Sequence, residues 1–412
     1  MTPPAPARSE APPVPLANGR PFGSGRRVSL FTLGTMRALA GPAPMLAVLR
    51  AALTAGINHL ETAPAYGPAE TFLGQALASL SAEGLEPAGG WRITSKLLPG
   101  CDLESGRHQL RAILSRLGRP RLDSLAVHGL NRPEHLNWAT SGPGAELLAW
   151  ATGEGLVDQV GFSSHGSNAL IAQALATDRF RFCSLHLHLF DQTRLPLARS
   201  ALAEGIGVLA ISPADKGGRL YDPPAQLLAD CAPFHPLELA YRFLLDQGIS
   251  TLSLGAEQPG DLAWAAALAG PAATGGVSDP SSPAIPDSPA ERAWLRPEHH
   301  QALAQLAAAG RERLGPERCG QCRACLPCPS GVPIPALLRL RNLAVGHGME
   351  VFAGERYNLI GRAGHWWEEV NADACRRCGD CLPRCPHQLP IPDLLADTHR
   401  RLAAAPRRRL WS

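Results

Sequence analysis

From residue 28 to residue 269, short apolar runs alternate with longer stretches in which apolar residues recur every three to four positions. The apolar runs are 29–33, 57–60, 91–96, 122–128, 157–162, 182–186, 207–211 and 251–254, each of strand length. The stretches 44–55, 70–79, 107–117, 145–151, 168–176, 195–203 and 237–245 read as amphipathic helices, and 260–269 closes the series. Eight strands, each followed by a helix, predict an α/β fold: a (β/α)8 TIM barrel spanning 28–270. A doubly wound open sheet would instead carry a Gly-rich phosphate turn after its first strand. Here that strand ends in Gly34-Thr35-Met36-Arg37.

Outside this region the pattern lapses. Residues 1–27 are rich in proline and alanine and predict a flexible arm, and 271–295 are dense in Pro, Gly, Ser and Ala and predict a linker. A helix near 297–313 opens a small α-helical domain at 296–405, followed by a basic tail at 406–412. That domain repeats itself: CPSGVPIPALL at 328–338 aligns with CPHQLPIPDLL at 385–395. Each half predicts a cysteine loop, a Pro-rich turn and a helix start. The segment between the halves, with Trp366 and Trp367, is predicted to be helical and to pack over whatever the cysteines hold.

Composition narrows the class. The 412 residues, 45% hydrophobic and 18% charged, suit a soluble globular protein of two or three domains. A formal net charge of +3 argues against nucleic acid or an acidic membrane as partner, and Arg407-Arg408-Arg409 is too short to change that. No apolar run is long enough to span a bilayer, and residues 1–20 lack the apolar segment of a secretory signal. The expected compartment is the cytoplasm.

Eight of the 11 cysteines carry the most specific signal. Cys319, Cys322, Cys325 and Cys328 are followed by Pro329; Cys375, Cys378, Cys381 and Cys385 are followed by Pro386. The second run has the bacterial ferredoxin spacing, in which three thiolates wrap one iron–sulfur cube and the fourth reaches the other. On that logic Cys319, Cys322 and Cys325 share a [4Fe–4S] cluster with Cys385, and Cys375, Cys378 and Cys381 share a second with Cys328. The first run is one residue shorter before its last cysteine, which leaves the pairing open. Zinc would ask for two separated pairs of cysteines, a poorer match. Cys101, Cys183 and Cys231 have no partners in sequence and read as ordinary thiols.

In a barrel of this kind the chemistry sits at the C-terminal strand ends. Those ends bring Glu61 and Tyr66 (in ETAPAYG), Lys96 (in ITSK) and His128 (in VHG) to one rim. In motif and order this set resembles the aldo/keto reductase family, most of all its branch with a C-terminal ferredoxin-like domain. The resemblance extends over about residues 28–400. It implies NAD(P)H-dependent reduction of a small-molecule carbonyl. Tyr66 would be the proton donor, Lys96 would lower its pKa, Glu61 would hold Lys96 charged, and His128 would orient the carbonyl. The family usually has aspartate at position 61, and the extra methylene displaces the carboxylate.

For the nicotinamide amide the family usually uses a Ser-Asn pair and a glutamine; the matching positions here are Ser163-Ser164 and Ser184. The loop Ser212-Pro-Ala-Asp-Lys216-Gly217-Gly218-Arg219-Leu220 matches the family's pyrophosphate loop. Gly255, after the eighth strand, is followed by Ala256-Glu257-Gln258-Pro259, which lacks the cations that would take a 2′-phosphate. NADPH is the family's expectation, and this stretch does not favour it over NADH. His186 and His188 share one strand face and read as packing or hydrogen-bonding residues rather than a metal pair, with His165 on the rim.

Hydride transfer moves two electrons together and a [4Fe–4S] cluster passes one. Two readings follow. In one, the barrel is an oxidoreductase, and the clusters are structural, sensing or connected to a redox partner protein. In the other, the chain is an iron–sulfur electron-transfer or partner-binding protein with a non-catalytic barrel.

Overall fold

The structure is a computed structural model that describes residues 19–269, 293–362 and 369–404. Residues 19–27, read from sequence as part of a free arm, instead fold as a short antiparallel pair, β1 (Arg20–Pro21) and β2 (Arg27–Val28). Between them Phe22 is buried, with its ring 5.1 Å from that of His59 and 5.0 Å from that of Phe182. Gln159 fastens this turn, accepting from the Ser24 amide at 3.0 Å and donating to the Phe22 carbonyl at 3.1 Å. The hairpin thus plugs the barrel with an apolar side chain. Two-residue strands have no periodicity to read, which is why the pattern missed them.

The eight apolar runs pair side by side as β3 (Phe31–Gly34), β4 (His59–Glu61), β5 (Arg92–Leu97), β6 (Leu122–Val127), β7 (Val157–Ser164), β8 (Phe182–Leu185), β9 (Gly207–Ala210) and β10 (Thr251–Gly255). All are parallel, and β10 pairs back to β3, which closes the barrel. Around it lie α1 (Pro42–Thr54), α2 (Ala69–Ala82), α3 (Leu103–Leu117), α4 (Pro133–Ser141), α5 (Pro143–Gly153), α6 (Asn168–Leu175), α7 (Leu195–Ala203), α8 (Ala225–Cys231), α9 (Pro236–Asp246) and α10 (Ala263–Ala269). Helices α4 and α8 were not foreseen; both are short and lie in loops after strands. Many helices carry proline in their first two positions, where its fixed φ and missing N–H suit a first turn. Helix α3 is capped at both ends, by the Asp102 carboxylate on the Ser105 amide at 2.8 Å and by Gly118 at φ 61°.

The C-terminal part holds α11 (Pro297–Leu314), α12 (Ile334–His347), α13 (Glu350–Tyr357) and α14 (Ile391–Leu402). The internal repeat is visible in it: α12 and α14 each begin at an Ile-Pro step that follows a cysteine loop. Arg341 of α12 ties them, its Nε 2.8 Å from Asp397. This part docks on the barrel through a continuous apolar core, and Arg313 of α11 grips Asp230 of α8 with two hydrogen bonds of 2.5 and 2.7 Å. The predicted linker (apart from residues 293–295), the first 18 residues, Trp366, Trp367 and the basic tail lie outside the described residues. No helix among the described residues is long and apolar enough to cross a membrane.

Candidate active site and iron–sulfur sites

Strand register places the rim residues. Glu61 ends β4 beside Gly34 of β3 and Thr94 of β5. Lys96 lies near the end of β5, and the His128 amide donates to the Leu97 carbonyl at 2.7 Å. Tyr66 comes from a 3-10 turn, Pro64–Tyr66, that follows β4. The fold thereby gathers all four. Lys96 Nζ donates to the Tyr66 hydroxyl oxygen at 2.5 Å and forms an ion pair with Glu61. The His128 ring meets the Tyr66 ring edge-on at 5.8 Å. Lys96 is 2% exposed, Glu61 6% and His128 7%, while Tyr66 is half-buried at the rim.

The extra methylene of Glu61 therefore does not break the lysine contact. Gly34 helps: a Cβ there would press at 3.3 Å on both the Leu254 carbonyl and the Ser253 hydroxyl, and stand 3.8 Å from Glu61 Oε2. Burial alone would lower the Lys96 pKa, but Glu61 and the Tyr66 oxygen outweigh it and hold the ammonium above its ordinary value. The Tyr66 phenol is raised by burial and by Glu61, and Lys96 offsets this only in part. The sequence reading gave Lys96 the upper hand; the structure gives it to burial and the carboxylate. The phenol keeps its proton at neutral pH.

Beneath this set lies a polar layer that the sequence did not announce. His59 accepts or donates at both ring nitrogens, to Thr32 and Thr94, at 2.8 Å each, and Thr32 meets Thr251 at 2.7 Å. Burial and the nearby Arg92 push His59 down to about 3, so the ring is neutral. These residues stand alternately with apolar ones inside strands, where a polar residue looks like noise until the barrel closes.

The residues matched to nicotinamide contacts divide. Ser163 Oγ accepts from the Gly129 amide at 3.0 Å. Ser164 Oγ donates to the Leu130 carbonyl at 2.6 Å and accepts from the Gly166 amide at 3.0 Å, so both serines brace the loop after β6. Ser184 differs: its hydroxyl is buried inside β8 with no hydrogen-bond partner among the described residues. Buried hydroxyls ordinarily have partners, so this one fits a ligand amide.

The loop 212–220 folds tightly. Ser212 has φ 45°, and its carbonyl accepts from the Lys216 amide at 3.1 Å. A side chain at Gly217 would meet the Pro213 carbonyl at 1.9 Å, and Gly218, at φ +136°, would drive one into Met349. Leu220 is fully buried beneath the loop. Burial, then Arg356, push the Lys216 ammonium down to about 8 against the pull of Asp215 and Glu61.

Sequence reasoning missed Arg37. It comes from the loop after β3, yet its side chain lies across Gly255, with Cδ 3.0 Å from where a Cβ would stand. Its guanidinium reaches Asp215 and the Tyr221 hydroxyl at 3.2 Å each. The strand end that lacks cations in sequence therefore has one in space. The only sequence signal was an arginine in the first strand's terminal tetrapeptide.

His165, His186 and His188 form a string that runs from the half-buried His165 inward, with ring nitrogens 3.3 Å and 3.5 Å apart at successive steps. Burial pushes His188 to about 3 and His186 well down, as suits packing residues.

In the C-terminal part, Cys319, Cys322, Cys325 and Cys385 line one small pocket. Cys328, Cys375, Cys378 and Cys381 line another. Ile334 lies between the two and lines both. Among the described residues, no three His, Cys, Asp or Glu side chains are placed to share a single metal ion.

Comparison with known proteins decides the family. The family model described as "Aldo/keto reductase family" matches residues 32–252. The chain belongs to the aldo/keto reductase family. A second model, a 4Fe-4S dicluster domain, matches residues 318–389. Among curated relatives, a 6-dehydroglucose reductase of Novosphingobium aromaticivorans is 30% identical over 233 residues, covering 51% of this chain and 73% of that protein. Among solved structures, the aldo-keto reductase AKR11C1 from Bacillus halodurans, in its holo form, superposes with a TM-score of 0.54 at 17% identity, covering 70% of this chain and 95% of the other. A Bombyx mori aldo-keto reductase in complex with NADP gives 0.50 at 21% identity, covering 63% and 88%. These two show a shared fold. The protein is thus an aldo/keto-reductase-like oxidoreductase with a C-terminal 4Fe-4S domain.

Proposed function

We propose that this aldo/keto reductase reduces a small carbonyl compound with NAD(P)H, Tyr66 donating the proton, and that its C-terminal domain carries two [4Fe–4S] clusters. The observation that carries the catalytic reading is the buried sequence of contacts from Glu61 to Lys96 to Tyr66. A bound reduced nicotinamide would supply hydride to the carbonyl carbon. Tyr66 gives its phenolic proton to the carbonyl oxygen, and the phenolate that remains lies 2.5 Å from the Lys96 ammonium. Glu61 keeps that ammonium charged. His128, edge-on to Tyr66, stands on the same rim to direct the carbonyl.

The nicotinamide fits the chain's own residues. Ser184 offers an unpartnered buried hydroxyl, and loop 212–220 offers glycines and cations. The cluster assignment takes Cys319, Cys322, Cys325 and Cys385 for one cube and Cys375, Cys378, Cys381 and Cys328 for the other, because each set lines its own cavity. Sulfurs set around a cavity and not around a point suit a cube better than zinc.

One observation favours the second reading, an electron-transfer or partner-binding protein with a non-catalytic barrel: Ser163 and Ser164 already bond within the barrel. Anaerobically purified protein decides between them. Tyr66→Phe should lower carbonyl reduction by roughly 10²–10⁴-fold, the usual size of a general-acid contribution, with nicotinamide binding retained. Unchanged turnover removes Tyr66 from this role, and wild-type protein that binds no nicotinamide supports the second reading.

A further inference from the structure

The phosphate loop is not held by the barrel alone. Three side chains of the iron–sulfur domain rest on it. Arg356 of α13 pairs with Asp215 at 3.4 Å. Its neighbour Glu355 accepts from Arg219 at 2.9 Å. Met349, just before α13, lies against Gly218 at the point where any Cβ would collide with its methyl carbon. Asp215 also meets Arg37 at 3.2 Å and the Tyr221 hydroxyl at 3.0 Å. The loop has no regular secondary structure of its own, and Ser212 and Arg219 hold positive φ values that side chains rarely adopt without support from their surroundings.

Helix α13 is in turn fastened to the second cysteine run. The Tyr357 hydroxyl accepts from the Ala372 amide at 3.1 Å and bonds His399 of α14 at 2.7 Å. The Ala372 carbonyl accepts from the amide of Cys375 at 3.1 Å. One short path therefore runs from a cysteine of the second cavity, through Ala372 and Tyr357, to Arg356 and the phosphate loop.

We propose that α13 is a latch by which the iron–sulfur domain holds the barrel's nucleotide loop, with Arg356 and Glu355 as positioning residues for NAD(P)H. The inference rests on the nicotinamide reading above and adds a residue source that the barrel lacks. Charge supports it. Lys216, Arg37, Arg219 and Arg356 outnumber the carboxylates of Asp215 and Glu355 in and against this loop, leaving an excess of positive charge beside Gly217 and Gly218 for an anionic pyrophosphate. Losing the second cluster would loosen the Ala372 turn and with it the latch, so nucleotide affinity would follow cluster integrity.

The test uses full-length, cluster-loaded protein and compares wild type with Arg356→Gln, Arg356→Lys and Glu355→Gln. Iron and sulfide contents confirm equal loading. Two readouts are taken: NADPH affinity and dissociation rate by fluorescence quenching, and hydrogen exchange of loop 212–220. The expected result for Arg356→Gln is NADPH binding weakened roughly tenfold, equivalent to about 1.4 kcal/mol, through faster dissociation. Loop exchange should be faster and nucleotide KM should rise out of proportion to any fall in kcat. Arg356→Lys should recover part of the loss. Wild-type-like binding and loop exchange in Arg356→Gln and Glu355→Gln overturn the latch and leave the nicotinamide reading standing. A wild-type protein that binds neither NADPH nor NADH overturns both.

Discussion

Replacing Glu61 by glutamine tests the catalytic set through stability, without any substrate. The side chain keeps its shape, and the Lys96 ammonium, 2% exposed, loses its counter-ion. Removing one partner of a buried ion pair typically costs about 3–5 kcal/mol. A ceiling follows from protonation. Without Glu61, burial is the largest influence on Lys96 and acts against its charge, and the most this can cost is the loss of the proton. Against an unfolded pKa of about 10.4, shedding it at pH 7 costs about 4.6 kcal/mol, and under about 1 kcal/mol at pH 10. In wild type the folded pKa is raised, so its contribution to stability is fully present below the unfolded value and is lost only as pH climbs through the folded one. The deficit of Glu61→Gln should therefore be largest near neutrality and shrink as pH rises toward 10. At about 1.2 °C per kcal/mol for 412 residues unfolding together, the melting temperature should fall by about 4–6 °C at pH 7. Thermal unfolding from pH 7 to 10, on equally cluster-loaded samples, provides the measurement. A deficit under 1 kcal/mol, or one unchanged between pH 7 and 10, would refute the claim that Glu61 keeps Lys96 charged.

Other predictions follow from single contacts. Lys216 loses its charge above pH about 8, and an anionic pyrophosphate binds the charged form. NADPH affinity should fall above that pH by at most about tenfold per unit, and Lys216→Met should flatten the profile; a wild-type profile flat from pH 7 to 9.5 excludes the contact. Gly217→Ala places a methyl 1.9 Å from the Pro213 carbonyl, so it should remould the phosphate loop and weaken nucleotide binding, seen by fluorescence titration. Phe22→Ala should destabilise the protein by about 3–5 kcal/mol, as large-to-small core changes do, because Phe22 plugs the barrel and does not sit in a free arm; an unaltered denaturation midpoint contradicts this. Cys385→Ser should remove a ligand from the first cavity alone, leaving about half the iron and an intact second-cluster signal in electron paramagnetic resonance.

Much of the site was legible because it depends on local chemistry. Strand length, helix period and turn residues are written in neighbouring positions, so all eight barrel strands match to within a few residues at their ends. Cysteine spacing is also local: three thiolates two residues apart can reach the same cube whatever surrounds them. Arg37 was illegible for the opposite reason. Its role comes from lying across Gly255, more than 200 residues away in sequence, and nothing near position 37 reports that contact. The polar layer of Thr32, His59, Thr94 and Thr251 likewise needed the barrel to close before its members met.

The direction of the Tyr66 shift shows the same division. Sequence placed a lysine and a carboxylate near a phenol, and a lysine alone would lower the phenol's pKa. Whether the lysine wins depends on how far water is excluded and how close the carboxylate comes, and those are properties of the packed rim. From the chain of residues alone came the barrel, the thiolate sets and the identity of the rim residues, all encoded in short-range spacing. Only the tertiary structure decided that the barrel is plugged at its base, that Arg37 faces the eighth strand's end, and that the iron–sulfur domain rests on loop 212–220, because each arises between segments that approach one another only after the chain has folded.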